Sequence, residues 1–174
     1  MTEYEFTLRY SLPDSGVPTD RRLERLAEEG CDDALAGIGH SGRIALAFSR
    51  EAGSAREAVL GAIADVRRAM PDARLIEAAP DLVGLTDVAD TMGFSRQNMR
   101  KLMFGRSDAP APVHDSKPSL WHLAHVLEWL CTDRGYNVPP ALLELSTVTM
   151  QVNLAAEGAH LDRGIQREIR AVLH

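Results

Sequence analysis

Gly93 separates two short segments that have the periodicity of amphipathic helices, and this arrangement constrains the fold more than any other feature of the sequence. Thr86 is predicted to cap the first helix and Ser95 the second. The apolar residues lie on one side of each helix: Val88, Ala89, Met92, Phe94, Met99 and Leu102. Gly93 can adopt the positive φ of a sharp turn, and the small Ala89 lets the two helices cross closely. The sequence therefore predicts a helix-turn-helix.

The outer side of the second helix, from Ser95 to Leu102, is polar and cationic and carries no acid. Its outward residues are Arg96, Gln97, Asn98, Arg100 and Lys101. Such a helix fits the major groove of DNA, where Arg contacts guanine and Gln or Asn contacts adenine. Base-edge contacts are expected from Arg96, Gln97 and Arg100, and phosphate contacts from Ser95, Lys101, Arg106 and Lys117. The alternative is an ordinary helical hairpin that has a glycine between its helices.

The chain from Asp81 to about Leu130 also resembles the DNA-binding domains of the MerR, excisionase and phage-regulator (AlpA-like) type. The resemblance is carried by residues 82–89, Leu-Val-Gly-Leu-Thr-Asp-Val-Ala, and by residues 93–98, Gly-Phe-Ser-Arg-Gln-Asn. It continues in Pro-Ala-Pro-Val at 110–113 and in Leu-Trp-His-Leu-Ala-His-Val-Leu-Glu-Trp-Leu at 120–130. The resemblance implies a winged helix-turn-helix that binds DNA.

The segment from Gly105 to Pro118 corresponds to the wing, a β-hairpin that lies along the DNA backbone or in the minor groove in winged members of the family. Its candidate strands are residues 112–114 and 119–121, on either side of Asp115-Ser116-Lys117. The alternative is a solvated loop with an incidental lysine, because prolines weaken a strand prediction.

The first 79 residues alternate strand and helix patterns. Tyr4, Phe6, Leu8 and Tyr10 alternate with polar residues, which is typical of a half-buried strand. The predicted elements that follow are a helix capped by Thr19 or Asp20, strands at 34–38 and 44–48, a helix from Ser54 to Met70 and a strand at 74–78. The loop 13–16 and the turn 40–42 connect them. The order βαββαβ predicts a ferredoxin-like sandwich, with two helices on one face of a four-stranded antiparallel sheet.

This fold occurs in small-molecule sensors, RNA-binding modules and dimerisation modules, so it does not define a function. RNA binding needs exposed aromatic residues on the central strands, but Phe48 alternates in phase with Ile44 and Leu46 and is expected to be buried. A small-molecule effector or a protein partner at this domain stays open.

We expect three parts: a ferredoxin-like domain at 1–79, a winged helix-turn-helix at 80–135 and a helical extension at 136–174. Pro139 and Pro140 open the first helix of the extension and Gly158 interrupts it, although Thr147-Val148-Thr149 is also compatible with a strand. Because one helix-turn-helix covers few base pairs, such proteins usually dimerise. The extension is the candidate dimer seam, and the alternative is that it caps its own domain.

The net charge of −6 is unusual for a DNA-binding protein, but its distribution is uneven. From Gly93 to Pro118 the cations Arg96, Arg100, Lys101, Arg106 and Lys117 outnumber the acids Asp108 and Asp115. The candidate DNA-binding strip is therefore positive within an acidic molecule. The negative charge of the rest of the molecule suppresses non-specific binding to DNA.

Other classes of function are not indicated. No apolar run is long enough to cross a membrane and no signal peptide is present, so a cytoplasmic protein is expected. Cys31 and Cys131 are predicted to be reduced packing residues. His122 and His125 supply only two of the ligands that a metal needs. We expect no enzyme activity and no cofactor, because no nucleophile motif or phosphate-binding loop is present.

The expected function is that of a sequence-specific, DNA-binding transcriptional regulator that acts as a homodimer on double-stranded DNA. The competing interpretation is an antitoxin-like or adaptor module that binds a protein partner, with DNA binding as a secondary property.

Overall fold

The computed structural model describes residues 1–14, 16–39 and 42–173, and it has the mixed α+β composition that the sequence predicts. The strands are β1 (Thr2–Ser11), β2 (Ala34–Ile38), β3 (Arg43–Ala52), β4 (Arg74–Ala79), β5 (Leu82–Val83) and β6 (Trp121–His122). The helices are α1 (Thr19–Glu28), α2 (Ala55–Ala69), α3 (Leu85–Met92), α4 (Arg96–Phe104), α5 (Leu123–Thr132), α6 (Pro140–Gly158) and α7 (Arg163–Leu173). Parts of the predicted loop 13–16 and turn 40–42, namely Ser15, His40 and Ser41, lie outside the described residues.

The four longer strands form one antiparallel sheet in the order β2-β3-β1-β4. Its alternating apolar residues face one side, as the sequence predicts, because the side chains of a strand point to opposite faces in turn. Phe48 is buried and stacks on Phe6 at a ring-centroid distance of 5.1 Å. It is therefore not exposed for base stacking, in agreement with the sequence-based expectation.

The helix boundaries agree with the predictions except at the starts of α1 and α3, and the start of α3 is described with the turn that follows it. Ser54 caps α2, since its hydroxyl accepts a hydrogen bond from the Glu57 backbone N–H at 3.1 Å. The predicted cap of α1 at Thr19 or Asp20 is wrong, because both residues already lie inside the helix and the cap position is Pro18, which has no side-chain donor or acceptor.

A second core lies between α3, α4, α5 and the short sheet of β5 and β6. Trp121 and Trp129 are buried in it, as expected. Trp121 also donates a hydrogen bond from its indole N–H to the Pro110 carbonyl at 3.0 Å, which ties the segment after α4 to this core.

Helix α6 joins the two cores. Leu145 belongs to the core of the four-stranded sheet, whereas Leu142 and Leu143 pack against the second core. The buried face of the sheet is thus covered by α1, α2 and α6, one helix more than the sequence predicts. The packing of α6 on the second core agrees with the interpretation that the extension caps its own domain. Neither interpretation anticipates that α6 also covers the N-terminal sheet. The segment 147–149 is helical.

The connection from β4 to β5 is held by side chains of α6. The Asn153 amide accepts a hydrogen bond from the Ala78 N–H at 2.7 Å and donates to the Ala78 carbonyl at 2.8 Å. It also donates to the buried Asp81 carboxylate at 2.7 Å, and the Thr149 hydroxyl donates to the Pro80 carbonyl. One amide therefore occupies the outward backbone groups of Ala78 at the edge of β4 and holds the entry to the second core.

Helix α7 is the least buried helix of the described chain. None of its residues is buried, and its apolar residues Ile165, Ile169, Val172 and Leu173 are exposed. Among the described residues no helix is long and apolar enough to span a membrane.

The two cysteines are free thiols, as expected, but only one of them packs in a core. Cys31 is buried, and burial together with the nearby Asp65 carboxylate raises the pKa of its thiol to about 11. Cys131 is exposed, so its prediction as a packing residue is wrong.

Replacing Asn153 with Ala should lower the free energy of unfolding by about 2–3 kcal/mol, because it removes the partner of both Ala78 backbone groups and of the Asp81 carboxylate oxygen that does not contact His122. Urea denaturation of the full chain would measure this change. The control is Gln151→Ala, an exposed position on the same helix where a change within about 0.5 kcal/mol is expected. Equal effects of the two substitutions would contradict the role given to Asn153.

Candidate nucleic-acid interface

The turn between α3 and α4 has the geometry that the sequence predicts. Gly93 has a φ of 67° in the left-handed region, and its N–H and that of Phe94 bond back to the end of α3. The side chain of Ser95 caps α4, since it accepts a hydrogen bond from the Asn98 N–H at 3.1 Å. Val88, Ala89 and Met99 are fully buried where the helices meet.

The predicted start of α3 is wrong. Gly84, not Thr86, occupies the cap position, and Thr86 lies within the helix. The Asp87 carboxylate accepts a hydrogen bond from the Gly84 N–H at 2.8 Å, which satisfies one backbone donor at the N-terminal end of α3. The aspartate three residues after the cap is the signal that sequence reasoning overlooked.

The residues predicted to contact DNA are all exposed. They comprise Ser95, Arg96, Gln97, Asn98, Arg100 and Lys101 on or before α4, together with Arg106 and Lys117. The opposite side of α4 is buried through Met99 and Met103. The buried methionines orient the helix, so its first two turns present polar and cationic side chains to solvent.

The segment from Val113 to Leu120, here called the hairpin loop, turns back on itself through one isolated antiparallel bridge between His114 and Leu120. The Leu120 N–H donates to the His114 carbonyl at 3.0 Å, and the Val113 N–H donates to the Leu120 carbonyl at 2.8 Å. The two predicted strands 112–114 and 119–121 therefore meet at a single bridge. Trp121 belongs instead to β6, where it pairs with Val83.

Arg96, Arg100 and Lys117 line the same cleft, although α4 and the hairpin loop are separate in sequence. The cleft has a volume of about 680 Å³, and its other walls include the start of α3 at residues 84–87 and the side chains of Phe104 and Trp121. Gln97, Asn98, Lys101 and Arg106 do not line it. The predicted residues thus fall into a group that shares the cleft and a group on the adjoining surface.

The cations of this surface have no carboxylate partners within the described parts of the chain. No salt bridge there involves Arg96, Arg100, Lys101, Arg106 or Lys117, whereas arginines elsewhere, such as Arg50 and Arg68, are paired with acids. An unpaired cation can neutralise a phosphate without first losing an intramolecular ion pair. Asp87 is the acid that lines the cleft.

Phe104 is a cleft residue that the sequence analysis did not single out. Its ring is 57% exposed and contacts the buried Trp121 edge to face at 5.9 Å. The Arg100 guanidinium lies over the Phe104 ring at 5.5 Å. Phe104 lies four residues after Arg100 on the same helix, so the sequence could have predicted their contact. The contact between Phe104 and Trp121 depends on the tertiary fold.

The two histidines considered as metal ligands have structural contacts. The His122 imidazole is 2.6 Å from the Asp81 carboxylate, and its ring contacts that of His125. Across the described residues no group of three or more His, Cys, Asp or Glu side chains is arranged to hold a metal ion.

Comparison of the chain with protein-family models, with curated proteins and with solved structures finds no match. Any assignment of function therefore depends on the residues of the chain itself.

Replacing Gly93 with Ala should destabilise the chain by about 1 kcal/mol, because a side chain is strained at a φ of 67° although no atom lies within 4 Å of the added Cβ. Thermal or urea unfolding would measure the change. Gly158→Ala is a matched control, since it also has empty space around the Cβ but lacks a positive φ. It should be neutral or stabilising by up to about 1 kcal/mol. Equal destabilisation by both substitutions would contradict this account of the turn.

Proposed function

We propose that the chain is a sequence-specific, DNA-binding transcriptional regulator that contacts the major groove with the helix from Ser95 to Leu102. The observation that carries this proposal is the convergence of Arg96, Arg100 and Lys117, from two separate elements, on one cleft without carboxylate partners. A double helix offers regularly spaced phosphates and base edges that such an arrangement fits.

The two sets of exposed residues have different roles in this proposal. Arg96, Gln97 and Arg100 contact base edges from the first two turns of α4, and Asn98 is a further donor and acceptor there. Ser95, Lys101, Arg106 and Lys117 hold phosphates on either side and set the position of the helix in the groove. Each good base contact contributes roughly 1–3 kcal/mol of discrimination against a wrong base.

The proposal includes a specific fold for the N-terminal sheet and for the part of the chain that contacts DNA. The strand order β2-β3-β1-β4 supports a ferredoxin-like arrangement for the N-terminal sheet. The sharp turn at Gly93 and the bridge between His114 and Leu120 support a winged helix-turn-helix related to the MerR, excisionase and phage-regulator type. In this description the hairpin loop is the wing and carries Lys117 to the DNA backbone.

A homodimer on double-stranded DNA completes the proposal, because one helix-turn-helix covers too few base pairs for a specific site. Two related units bind half-sites about 34 Å apart, which is one turn of the double helix. The N-terminal sheet is then the part that receives an effector or another protein.

The second candidate function is an antitoxin-like or adaptor module that binds a protein partner. It is favoured by the exposed apolar side of α7, which Ile165, Ile169 and Leu173 form. The exposed face of the N-terminal sheet gives it less support, because Glu3, Glu5, Glu51 and Glu77 lie there without a continuous apolar patch.

Selection of bound duplexes from a random-sequence DNA pool, followed by titration of the best duplex over a salt series, tests the function directly. An enriched motif with two-fold symmetry is expected. Weak binding without enrichment, lost at physiological salt, would contradict sequence-specific recognition and would favour the protein-binding module.

Replacing Arg96 with Ala should relax the base preference at one position of the selected motif, by about 1–3 kcal/mol of discrimination. Competition binding with the best duplex and its single-base variants would measure this. Arg56→Ala is the control, since Arg56 is an exposed arginine on α2, away from the cleft. An unchanged preference in the Arg96 variant would mean that α4 is not the helix that contacts the bases.

Replacing Lys117 with Ala should weaken all duplexes alike, because a phosphate contact carries no sequence information. The slope of log K against log salt concentration should fall in magnitude by about one. Binding measured at several salt concentrations checks both effects. A change of base preference without a change of slope would place Lys117 at a base and not at a phosphate.

A further inference from the structure

The two outer edges of the four-stranded sheet differ in the hydrogen bonds that their backbone groups form. At the edge of β4, the Asn153 amide of α6 bonds to both outward backbone groups of Ala78. The edge of β2, at the other end of the sheet, has within the described residues one hydrogen bond, from the Ala34 N–H to the Cys31 carbonyl. Strand β2 also has no charge, no proline and no bulge, which are the devices that usually keep an edge strand from pairing.

The hydrogen bonds at both ends of β2 define which backbone groups point outward. The Ser49 N–H donates to the Asp33 carbonyl at 3.1 Å, and the Gly39 N–H donates to the Arg43 carbonyl at 3.3 Å. Hydrogen-bonded residues alternate along an antiparallel pair, so the odd-numbered residues bond to β3. The N–H and C=O groups of Ala36 and Ile38, and the C=O of Ala34, therefore point away from the sheet.

We infer that β2 pairs antiparallel with β2 of a second copy of this chain, about a two-fold axis beside Ala36, and that the two sheets become one sheet of eight strands. In this register each Ala36 N–H donates to the partner's Ala36 carbonyl. Each Ile38 N–H donates to the partner's Ala34 carbonyl. The Ala34 N–H keeps its hydrogen bond to the Cys31 carbonyl of its own chain. Every outward backbone group except the Ile38 carbonyl is then paired.

The side chains fit the same register. Leu35 and Ile38 are the large apolar residues of the strand and are 78% and 62% exposed. Paired residues share a face of the sheet, so Leu35 lies beside the partner's Gly37, and Ile38 lies beside the partner's Ala34. Each large side chain thus meets a small residue. Both exposed apolar groups become covered without a steric conflict between like residues.

Association through β2 stops at two copies. The two-fold pairing uses the β2 edge of both copies, and at the other edge of the sheet the Asn153 amide of α6 occupies the outward backbone groups of Ala78, which disfavours the addition of a strand there. The Ala79–Pro80 connections would stand about 34 Å apart, which is seven strand spacings of about 4.8 Å.

This inference rests on the homodimer of the proposed function but not on DNA binding, and its test uses the full chain without DNA. Ala36→Pro removes the two N–H donors beside the two-fold axis and no bond within the chain, because this N–H points outward. Sedimentation should show the dissociation constant of the dimer raised by about tenfold or more. Leu35→Lys should also raise the dissociation constant of the dimer. Because the Leu35 side chain is exposed, this substitution should not disturb folding and replaces the proline variant if that variant fails to fold.

Ile169→Lys is the matched control, an exposed apolar residue on α7 that should leave the dimer unchanged. In a Cys131→Ser background, Ala36→Cys should form a disulfide-linked dimer on oxidation, and the exposed Leu60→Cys should not. A monomeric wild type, a dimer that survives both β2 variants, or dissociation by Ile169→Lys in their place would overturn the inference. Enrichment of a DNA motif in the same monomer would leave the DNA-binding proposal intact.

Discussion

The arrangement of this chain depends on the side chains of α6 that hold the connection between β4 and β5. Asn153 bonds to both backbone groups of Ala78 and to Asp81, and Asp81 in turn contacts His122 at the start of α5. Asp81 is almost fully buried, and a buried carboxylate is tolerated only when its oxygens have partners. The last long helix thus fixes the first core, the second core and the short link between them in one structure.

Because α6 contacts both cores, it determines how a signal could pass from one core to the other. A change at the N-terminal sheet would reach α4 through α6, because α6 packs on β4 and α2 on one side and on α5 on the other. The link itself offers little freedom of its own, since Thr149 and Asn153 hold its backbone. An effector or partner at the sheet would therefore act by shifting α6, and not by releasing a flexible linker.

The same helix explains why the two edges of the sheet differ. A strand edge has free donors and acceptors along its length, and among the described residues α6 is the long helix that follows the second core. Because α6 packs on β4, it does not cover the edge of β2, which is the edge that we propose for self-association. The acidic remainder of the chain and the cationic surface around Arg96 and Lys117 then lie on different parts of the molecule, which separates self-association from the proposed contact with DNA.

Local patterns in the sequence were sufficient for the four long strands, for the helices and for the turn at Gly93, because periodicity, a positive φ and the Ser95 cap depend on neighbouring residues only. They did not predict the pairing of the short strands β5 and β6. They were also sufficient for the exposure of Arg96 and Arg100, which follows from the buried position of Met99. The start of α3 was missed, since the cap at Gly84 has no side chain and the signal there is Asp87, three residues later. The contacts between distant segments could be seen only in the folded chain: Lys117 in the cleft with Arg96, Phe104 beside Trp121, and α6 on the N-terminal sheet. No local pattern contains them, because they depend on which surfaces meet when the chain folds.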